Sequence, residues 1–377
     1  MNLKYTLFSF IILVAFTTAL QGQDPVFSLF DRSPIVINPA LAGDIPNDYS
    51  NRFVAQYRTQ WFDVLEEEHY KHFSAAFDGN VPICGMNTNS AFGYGIHIVS
   101  ESIPFKSVNP DFRSDKIGID LAYSLALTDG IYMAAGVEGE WLQQRLSTDG
   151  LRFPNQYDGL GDFSNGPNQE SDLLNNPNAT GFSGGAGLAF NFTEVYLFGT
   201  NNLPSQFRLG FVLHHITRPN LSLLGLEEDD QADISRRFTF HLRGRLPIGE
   251  NNGLASNSAP IELIPYAYYS QQGKGVWQTI AGIDFSTNWN GNFQMIPGIG
   301  VRMTNPEISE QTLTSIIPSL RVEIDNFFFA FTTDIGIAPF AENNNDRTVT
   351  SFEFALGFLI GDREGKKKNC GLPCPNL

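Results

Sequence analysis

The sequence predicts an all-β fold: a transmembrane β-barrel of the outer-membrane type, with about 14 antiparallel strands and both termini in the periplasm. Three observations predict it: an N-terminal export signal, no later run of about 18 apolar residues, and apolar side chains that alternate with a period of two. Only 17% of the residues are charged, against about 25% in an average soluble domain. The formal net charge of −16 argues against a nucleic-acid-binding function, which requires a basic surface.

Residues 1–22 have the pattern of a Sec signal peptide. Lys4 supplies the positive charge, an apolar stretch runs from Leu7 to Leu20, and cleavage is expected near Gly22 and Gln23. An uncleaved membrane anchor is disfavoured, because the stretch is short and interrupted by threonines. The chain therefore divides into a signal peptide (1–22), an N-terminal periplasmic or plug segment (23–50), the barrel (51–360) and a basic periplasmic tail (361–377).

The strands are identified by alternation, which is clearest in the segment Lys116–Leu127. There Ile117, Ile119 and Leu121 share an apolar face, while Lys116 and Asp120 lie on the opposite face. Segments of this kind begin near residues 51, 69, 90, 113, 131, 181, 206, 234, 259, 277, 293, 314, 326 and 350. Each is roughly 9–15 residues long, which suits a tilted membrane-spanning strand better than a soluble sandwich, where strands of about 5–6 residues are usual.

The connections between these segments alternate in length. Those near Asp129 and Asp325 are short, and those over 147–180, 218–233 and 336–349 are long. Short periplasmic turns and long external loops are typical of membrane barrels, and an even strand number then brings both termini to the periplasmic side. Three prolines within strands predict β-bulges, because proline removes one ladder hydrogen bond: Pro265, Pro297 and Pro318.

No arrangement of residues points to an enzyme, a cofactor or a metal site. His214 and His215 are adjacent within a predicted strand, so we expect their side chains on opposite faces and no shared metal. Acidic external loops at Glu66–Glu68 and Glu227–Asp230 offer oxygen ligands for Ca²⁺, although their spacing is not that of a calcium-binding loop. An internal charge network is predicted from Asp120, Glu138, Glu140, Glu353, Arg58, Arg237, Arg243 and Arg321.

The tail carries Lys366–Lys368 and two cysteines, Cys370 and Cys374. These cysteines can pair with each other in an oxidising compartment, and a bridge from the tail to Cys84 is an alternative. The sequence leaves the pairing open. It also leaves open whether the tail binds a partner or is a disordered end.

Nearly the whole mature chain, and most specifically its N-terminal region, resembles the PorP/SprF family of outer-membrane proteins from the type IX secretion and gliding machinery of Bacteroidetes. The segment QDPVFSLFDRSPIVINPALAG contains a Q-D-P-x-F-S start and an N-P-A-x-x-G element, and a Y-R-x-Q-W first strand follows. One departure is Arg32-Ser33-Pro34, where the family more often has Asn-Pro. The candidate partner contacts among the residues that match the family are Asn38, Pro39, Ala40, Gly43, Tyr57, Arg58, Gln60, Trp61, His214, His215 and Pro219.

The resemblance implies an assembly or anchoring partner in the outer membrane rather than an enzyme. The implied partners are lipid of the outer membrane, periplasmic motor proteins of the OmpA-like lipoprotein class, and a large secreted adhesin. In this interpretation the segment 23–50 packs under or into the barrel, and the residues that match the family are candidate partner contacts. The alternative is a passive or substrate-specific porin, in which the lumen charges would set selectivity.

Overall fold

The computed structural model describes residues 24–46, 49–60, 69–84, 89–104, 111–147, 178–196, 204–223, 233–248, 261–273, 275–288, 293–305, 312–337 and 350–361. Several predictions fall outside these ranges. They concern the signal peptide, Trp61, the acidic loops at 66–68 and 227–230, and the tail with Cys370 and Cys374.

The described chain forms fourteen strands that close into one antiparallel barrel. Consecutive strands pair with each other, and the last strand pairs with the first from Asn51–Ile360 to Gln60–Ser351. The strands are β1 Asn51–Gln60, β2 Tyr70–Cys84, β3 Asn89–Pro104, β4 Asp111–Thr128, β5 Ile131–Leu146, β6 Asn178–Val195, β7 Ser205–His214, β8 Arg237–Ile248, β9 Ile261–Gln272, β10 Val276–Asn288, β11 Phe293–Asn305, β12 Leu313–Ile324, β13 Phe327–Gly336 and β14 Thr350–Ile360. The predicted barrel is confirmed, and every predicted strand begins within three residues of an observed one.

The two faces of the wall differ in polarity, as membrane barrels require. In β4 the side chains of Ile117, Ile119 and Leu121 point outward and are exposed, whereas Lys116 and Asp120 point inward and are buried. Exposed apolar side chains continue around the barrel, for example at Val137, Phe211, Ile299, Phe329 and Leu356. This is the surface of an outer-membrane barrel, with an apolar exterior and a polar interior.

The end of the barrel where β1 begins and β14 ends is called the termini end here, and the opposite end is called the far end. Two-residue turns at 129–130 and 325–326 lie at the termini end, and the long connection 147–177 lies at the far end. Gly130 has φ of +79°, which a glycine adopts without strain in so tight a turn. Within the described part of the chain, no helix is long and apolar enough to span a membrane.

The predicted bulges at the three prolines are wrong. The register is unshifted around Pro265, Pro297 and Pro318, and each proline keeps its partner on one side: Ile283, Leu320 and Ile299. On the other side the ladder skips two pairs and resumes in the same register. Proline removes a hydrogen bond without adding a residue to the strand, so no bulge is needed. Register shifts occur instead near Thr128 and Val195, beside connections at the termini end.

Residues 24–46, called the plug, lie inside the barrel. They form an extended start, a 3₁₀ helix Phe30–Arg32, the short helix α1 Pro34–Ile37 and a second 3₁₀ helix Pro39–Leu41. The plug bonds to inward-facing side chains at the far end through Asp24, at mid-height through Asn38 and at the termini end through Gly43. The lumen is therefore filled along its length by the chain's own N-terminal segment.

Candidate functional site: the plug and the inner wall

The middle of the plug is shaped by prolines and by Asn38. Pro34 and Pro39 begin the two short helical turns, where a missing N–H has no cost. Asn38 is fully buried, and its Oδ1 accepts a hydrogen bond from the N–H of Ala40 at 2.9 Å. Its Nδ2 donates to the Leu188 carbonyl at 3.1 Å and lies 3.0 Å from His241 Nε2. Asn38 thus both caps a turn of the plug and fastens that turn to β6 and β8.

Glycines on the inner wall make room for this turn. A side chain at Gly187 would collide with the Asn38 amide, and one at Gly136 would collide with the backbone of Pro39 and Ala40. Similar close approaches occur along the plug. They pair Gly93 with Ala42, Gly95 with Ile35, and Gly210 with Asn38 and His241. The wall backbone therefore packs directly against the plug, against its backbone at Gly136 and Gly93 and against its side chains at Gly187, Gly95 and Gly210.

Apolar contacts between plug and wall surround Phe30 and Ile35. The Phe30 ring lies 5.9 Å from the Tyr266 ring in an edge-on arrangement and 5.1 Å from the Tyr268 ring, with Ile280 and Ile317 in the same buried cluster. Ile35 packs with Ala42, Ala76 and Ala122. Each buried side chain of this size contributes roughly 1.5–3 kcal/mol relative to exposure, so the plug is held by packing as well as by charge.

A buried ionic cluster grips the plug at Ser28. Glu353 accepts hydrogen bonds from the backbone N–H groups of Ser28 and Leu29, at 2.7 and 2.8 Å. The guanidinium groups of Arg58 and Arg302 both donate to Ser28 Oγ, at 2.5 and 2.6 Å. Asp334 closes the cluster, at 2.8 Å from Arg58 and 2.9 Å from Arg302. Because these groups are buried away from water, the folded protein is stable only if each charge keeps its partners.

A second cluster holds Asp24 near the far end. Its carboxylate bonds to Lys116, to His215 Nε2 at 2.7 Å and to Arg237 Nη1 at 2.9 Å, while its N–H donates to Gln272 Oε1 at 2.8 Å. Burial alone would raise the pKa of the Asp24 carboxyl, but the charges of Lys116, His215 and Arg237 outweigh it and hold that pKa well below its ordinary value. Asp24 is therefore ionised throughout the physiological range.

The two histidines both face the lumen, which corrects the expectation of opposite faces. β7 ends at His214, and His215 has φ of +56°, so the strand alternation stops there and both side chains are buried. His214 contacts Glu138 at 2.5 Å through Nδ1 and donates from Nε2 to the Ile37 carbonyl at 3.1 Å. His215 contacts Ser183 at 2.8 Å and Asp24. Both histidines thus bind the plug, at two different points.

The plug leaves the lumen through a third polar cluster at the termini end. Gly43 has φ of +73°, and its N–H donates to Asp78 at 2.9 Å. Asp78 also pairs with Arg52 at 2.7 Å, and Asp44 pairs with Arg208. A side chain at Gly43 would collide with the backbone of Gly79 and with Asn80, so both the conformation and the space at this position require glycine.

Three other residues that match the family, Tyr57, Gln60 and Pro219, lie outside these three polar clusters. Tyr57 points outward and is exposed, and Gln60 accepts a hydrogen bond from Arg58 at 3.2 Å at the end of β1. Pro219 lies in the β7–β8 connection, where its carbonyl accepts from the N–H of Ile234 at 3.0 Å. Of the residues matching the family, Arg58, His214 and His215 contact the plug, to which Asn38, Pro39, Ala40 and Gly43 belong.

The inner-wall charges form several networks. All eight residues that the sequence predicted for this network face the lumen. Arg243 pairs with Asp31 of the plug, and Arg321 pairs with Glu323. His97 lies between two carboxylates, at 2.7 Å from Asp120 and 3.3 Å from Glu140. Arg302 and Asp334 were missed from the sequence, and Asp24 and Ser28, although part of the Q-D-P-x-F-S motif, were not among the candidate contacts. The inward positions of Arg302 and Asp334 follow from the same alternation. The partners are harder to predict, because Asp24 pairs with Lys116, 92 residues away, and Ser28 with Glu353, 325 residues away.

Among the described residues, the lumen has no recognised metal-binding group, and a small cavity remains between plug and wall. No cluster of three or more His, Cys, Asp or Glu side chains there could hold a metal ion. A cavity of about 40 Å³ lies between plug and wall, beside Asp24, His97, Lys116 and Glu140. That volume has room for roughly three water molecules. Chemically, the arrangement binds a peptide segment inside a barrel.

Comparison with known proteins identifies a family. Residues 19–358 match the family described as type IX secretion system membrane protein PorP/SprF. No curated protein sequence matches the chain.

Among solved structures, the chain is similar to a FadL homologue of Pseudomonas aeruginosa, at 12% identity and a TM-score of 0.46, covering 91% of this chain and 96% of that one. It is also similar to the Pseudomonas putida toluene transporter TodX, at 11% identity and a TM-score of 0.44, covering 86% and 94%. A third is CdiB from Acinetobacter baumannii, at 9% identity and a TM-score of 0.45, covering 82% of this chain but only 60% of CdiB.

Proposed function

Because this chain belongs to the PorP/SprF family of type IX secretion system membrane proteins, we propose that it is an assembly or anchoring partner in the outer membrane. It binds periplasmic motor proteins of the OmpA-like lipoprotein class, or supports secretion and surface attachment of one large adhesin. The role is one of binding, without a catalytic step.

The observation that carries the proposal is the filled lumen. A porin needs a continuous water-filled path, and here the plug is bonded to the wall at Asp24, Ser28, Asn38 and Gly43. The charged side chains that would line a pore pair with each other or with the plug. A barrel whose lumen is occupied by its own N-terminal segment suits attachment of other proteins better than passage of solutes.

The proposed orientation puts the termini end in the periplasm. The short turns at 129–130 and 325–326 lie at that end, and membrane barrels have their short turns on the periplasmic side. The basic tail then enters the periplasm from Gly361, where periplasmic partners can bind it. The far end, with the longer connections, faces the cell exterior and an adhesin.

The experiment is a mild-detergent purification of the tagged native protein, with the co-purified proteins identified and quantified by mass spectrometry. A second outer-membrane barrel carrying the same tag is the control. We expect type IX motor components or one large adhesin in stoichiometric amounts with this chain only. Recovery of the barrel alone, or of the same proteins with the control barrel, would contradict the proposal.

A further inference from the structure

At the far end of the barrel, the described parts of the connection between β7 and β8 pack against the inner wall. These parts, residues 215–223 and 233–236, are called the cover here. Leu221 of the cover packs in a buried cluster with Leu142 of β5 and Ala179 of β6, joined by Leu223 and Ile234. The cover therefore lies against inward-facing side chains of the wall at the far end.

Both ends of the cover converge on one residue of the plug. His215 at its start and Arg237 directly after its end bond to the same Asp24 oxygen, at 2.7 and 2.9 Å. Gln272 adds a further link, since its Oε1 accepts from the Asp24 N–H and its Nε2 donates to the Ser235 carbonyl at 3.4 Å. The two arms of the cover are thus joined through the first described residue of the plug.

The cover holds a backbone conformation that needs support. His215 and Arg218 have φ of +56° and +51°, in the left-handed region that residues other than glycine seldom adopt. Such conformations persist where surrounding contacts impose them. For His215 these contacts are Ser183 of the wall and Asp24 of the plug. The neighbouring His214 donates to the Ile37 carbonyl, so the plug is gripped at a second point.

We infer that the plug sets the conformation of the cover: with Asp24 docked, residues 215–223 and 233–236 are held in place at the far end, and withdrawal of Asp24 releases them. The same segment is fixed at the termini end through Gly43 and Asp44. Movement of the plug at one end of the barrel is therefore transmitted to the surface at the other end. Only the assignment of these ends to the periplasm and the exterior rests on the proposed function.

The alternative is that contacts with the wall hold the cover in place without the plug. The cluster of Leu142, Ala179 and Leu221, with the hydrogen bonds from Ile216 N–H to Gly184 and from Ile234 N–H to Pro219, could hold the cover alone. The two arrangements differ in what happens when Asp24 loses its charge. Only a plug-dependent cover opens while the barrel stays folded.

The test is hydrogen–deuterium exchange with mass spectrometry on the full chain in detergent, comparing Asp24→Asn with Asp31→Asn. The control makes the same change in the same segment, at a residue whose partners are Arg32 and Arg243 rather than the cover. We expect Asp24→Asn to speed exchange of peptides from 215–223 and 233–236 by about tenfold, the scale of one charge-assisted hydrogen bond. Asp31→Asn should leave these peptides within about twofold of the wild type.

Unchanged exchange of the cover in Asp24→Asn, or an equal increase in both variants, would overturn the inference. Heat-modifiable gel migration verifies that each barrel is folded. If Asp24→Asn does not fold, Gln272→Ala replaces it, because this change removes one link between plug and cover and leaves the Asp24 ion pairs in place. Gln272→Ala should speed exchange of the cover in the same direction, and no increase would again overturn the inference. Faster trypsin cleavage after Arg236, which is followed by Arg237, gives an independent readout.

Discussion

The amide of Asn38 occupies the space that a side chain at Gly187 would need, so this side chain of the plug packs directly against the backbone of the wall. This contact lies at mid-height in the lumen, where Asn38 is also bonded to Leu188 and His241. The glycines of the inner wall, five of which approach the plug in this way, are thus part of how the lumen is filled.

The substitution Gly187→Ala should destabilise docking of the plug. The added methyl group has no room beside Asn38, and overpacking of this kind costs about 1–3 kcal/mol. Denaturant unfolding of the folded barrel, together with protease access to the plug, measures the effect.

Its matched control is Gly139→Ala, which adds the same group on the outward face, where nothing lies within 4 Å. We expect a change of at most about 0.5 kcal/mol there. Equal effects of the two substitutions would show that the Asn38 contact is not responsible.

Removal of the Arg58 charge should destabilise the protein strongly. Arg58→Met leaves Asp334 and Glu353 buried with one cationic partner fewer and breaks the bond to Ser28 Oγ. Removing one member of a buried ionic group costs about 3–5 kcal/mol. The free energy of unfolding in denaturant is the measurement.

Arg113→Met provides the comparison, because that arginine is half exposed in its pair with Asp115. A surface pair of this kind contributes about 0–1 kcal/mol. A loss for Arg58→Met no larger than for Arg113→Met would mean that the cluster at Ser28 does not hold the plug.

The contribution of Asp24 to stability should vanish only in acid. Burial raises and the neighbouring cations lower the pKa of this carboxyl, with the net result well below the ordinary 3.8. A carboxyl with a depressed pKa in the folded state stabilises the protein above its unfolded-state pKa, and that stability is lost as pH falls through the folded-state pKa. The difference in midpoint of thermal unfolding between wild type and Asp24→Asn should be constant from pH 8 to pH 5 and shrink below about pH 4.

A difference that already disappears between pH 7 and pH 5 would contradict this account of Asp24. Such a result would mean that the surrounding cations do not lower the pKa of the Asp24 carboxyl by more than burial raises it.

The barrel wall could be predicted because its pattern is local. Alternation in a segment such as Lys116–Leu127 is visible within a few residues, and each strand boundary follows from where the alternation stops. The prolines were misjudged because the sequence indicates a lost hydrogen bond but not how the ladder accommodates it. Pro318 keeps Ile299 as its partner in β11 and simply skips pairing with β13.

The site was less predictable because its contacts join distant parts of the chain. The backbone N–H of Ser28 bonds to Glu353, and no local pattern links these positions. The positive φ of His215 ends the alternation that holds through β7. A positive φ is usually predicted from a glycine, and there is no glycine at this position. The resemblance identified the plug segment and Arg58 as candidates, but only the structure shows that Arg58 bonds to Ser28 of the plug.

Single-channel recording in planar lipid bilayers tests most directly whether the lumen is closed by the plug. We predict no steady conductance for the full mature chain, and steady conductance for a variant that lacks residues 24–44, which verifies that an open lumen is detectable in the same assay. Steady conductance of the full mature chain would contradict the account and favour a porin.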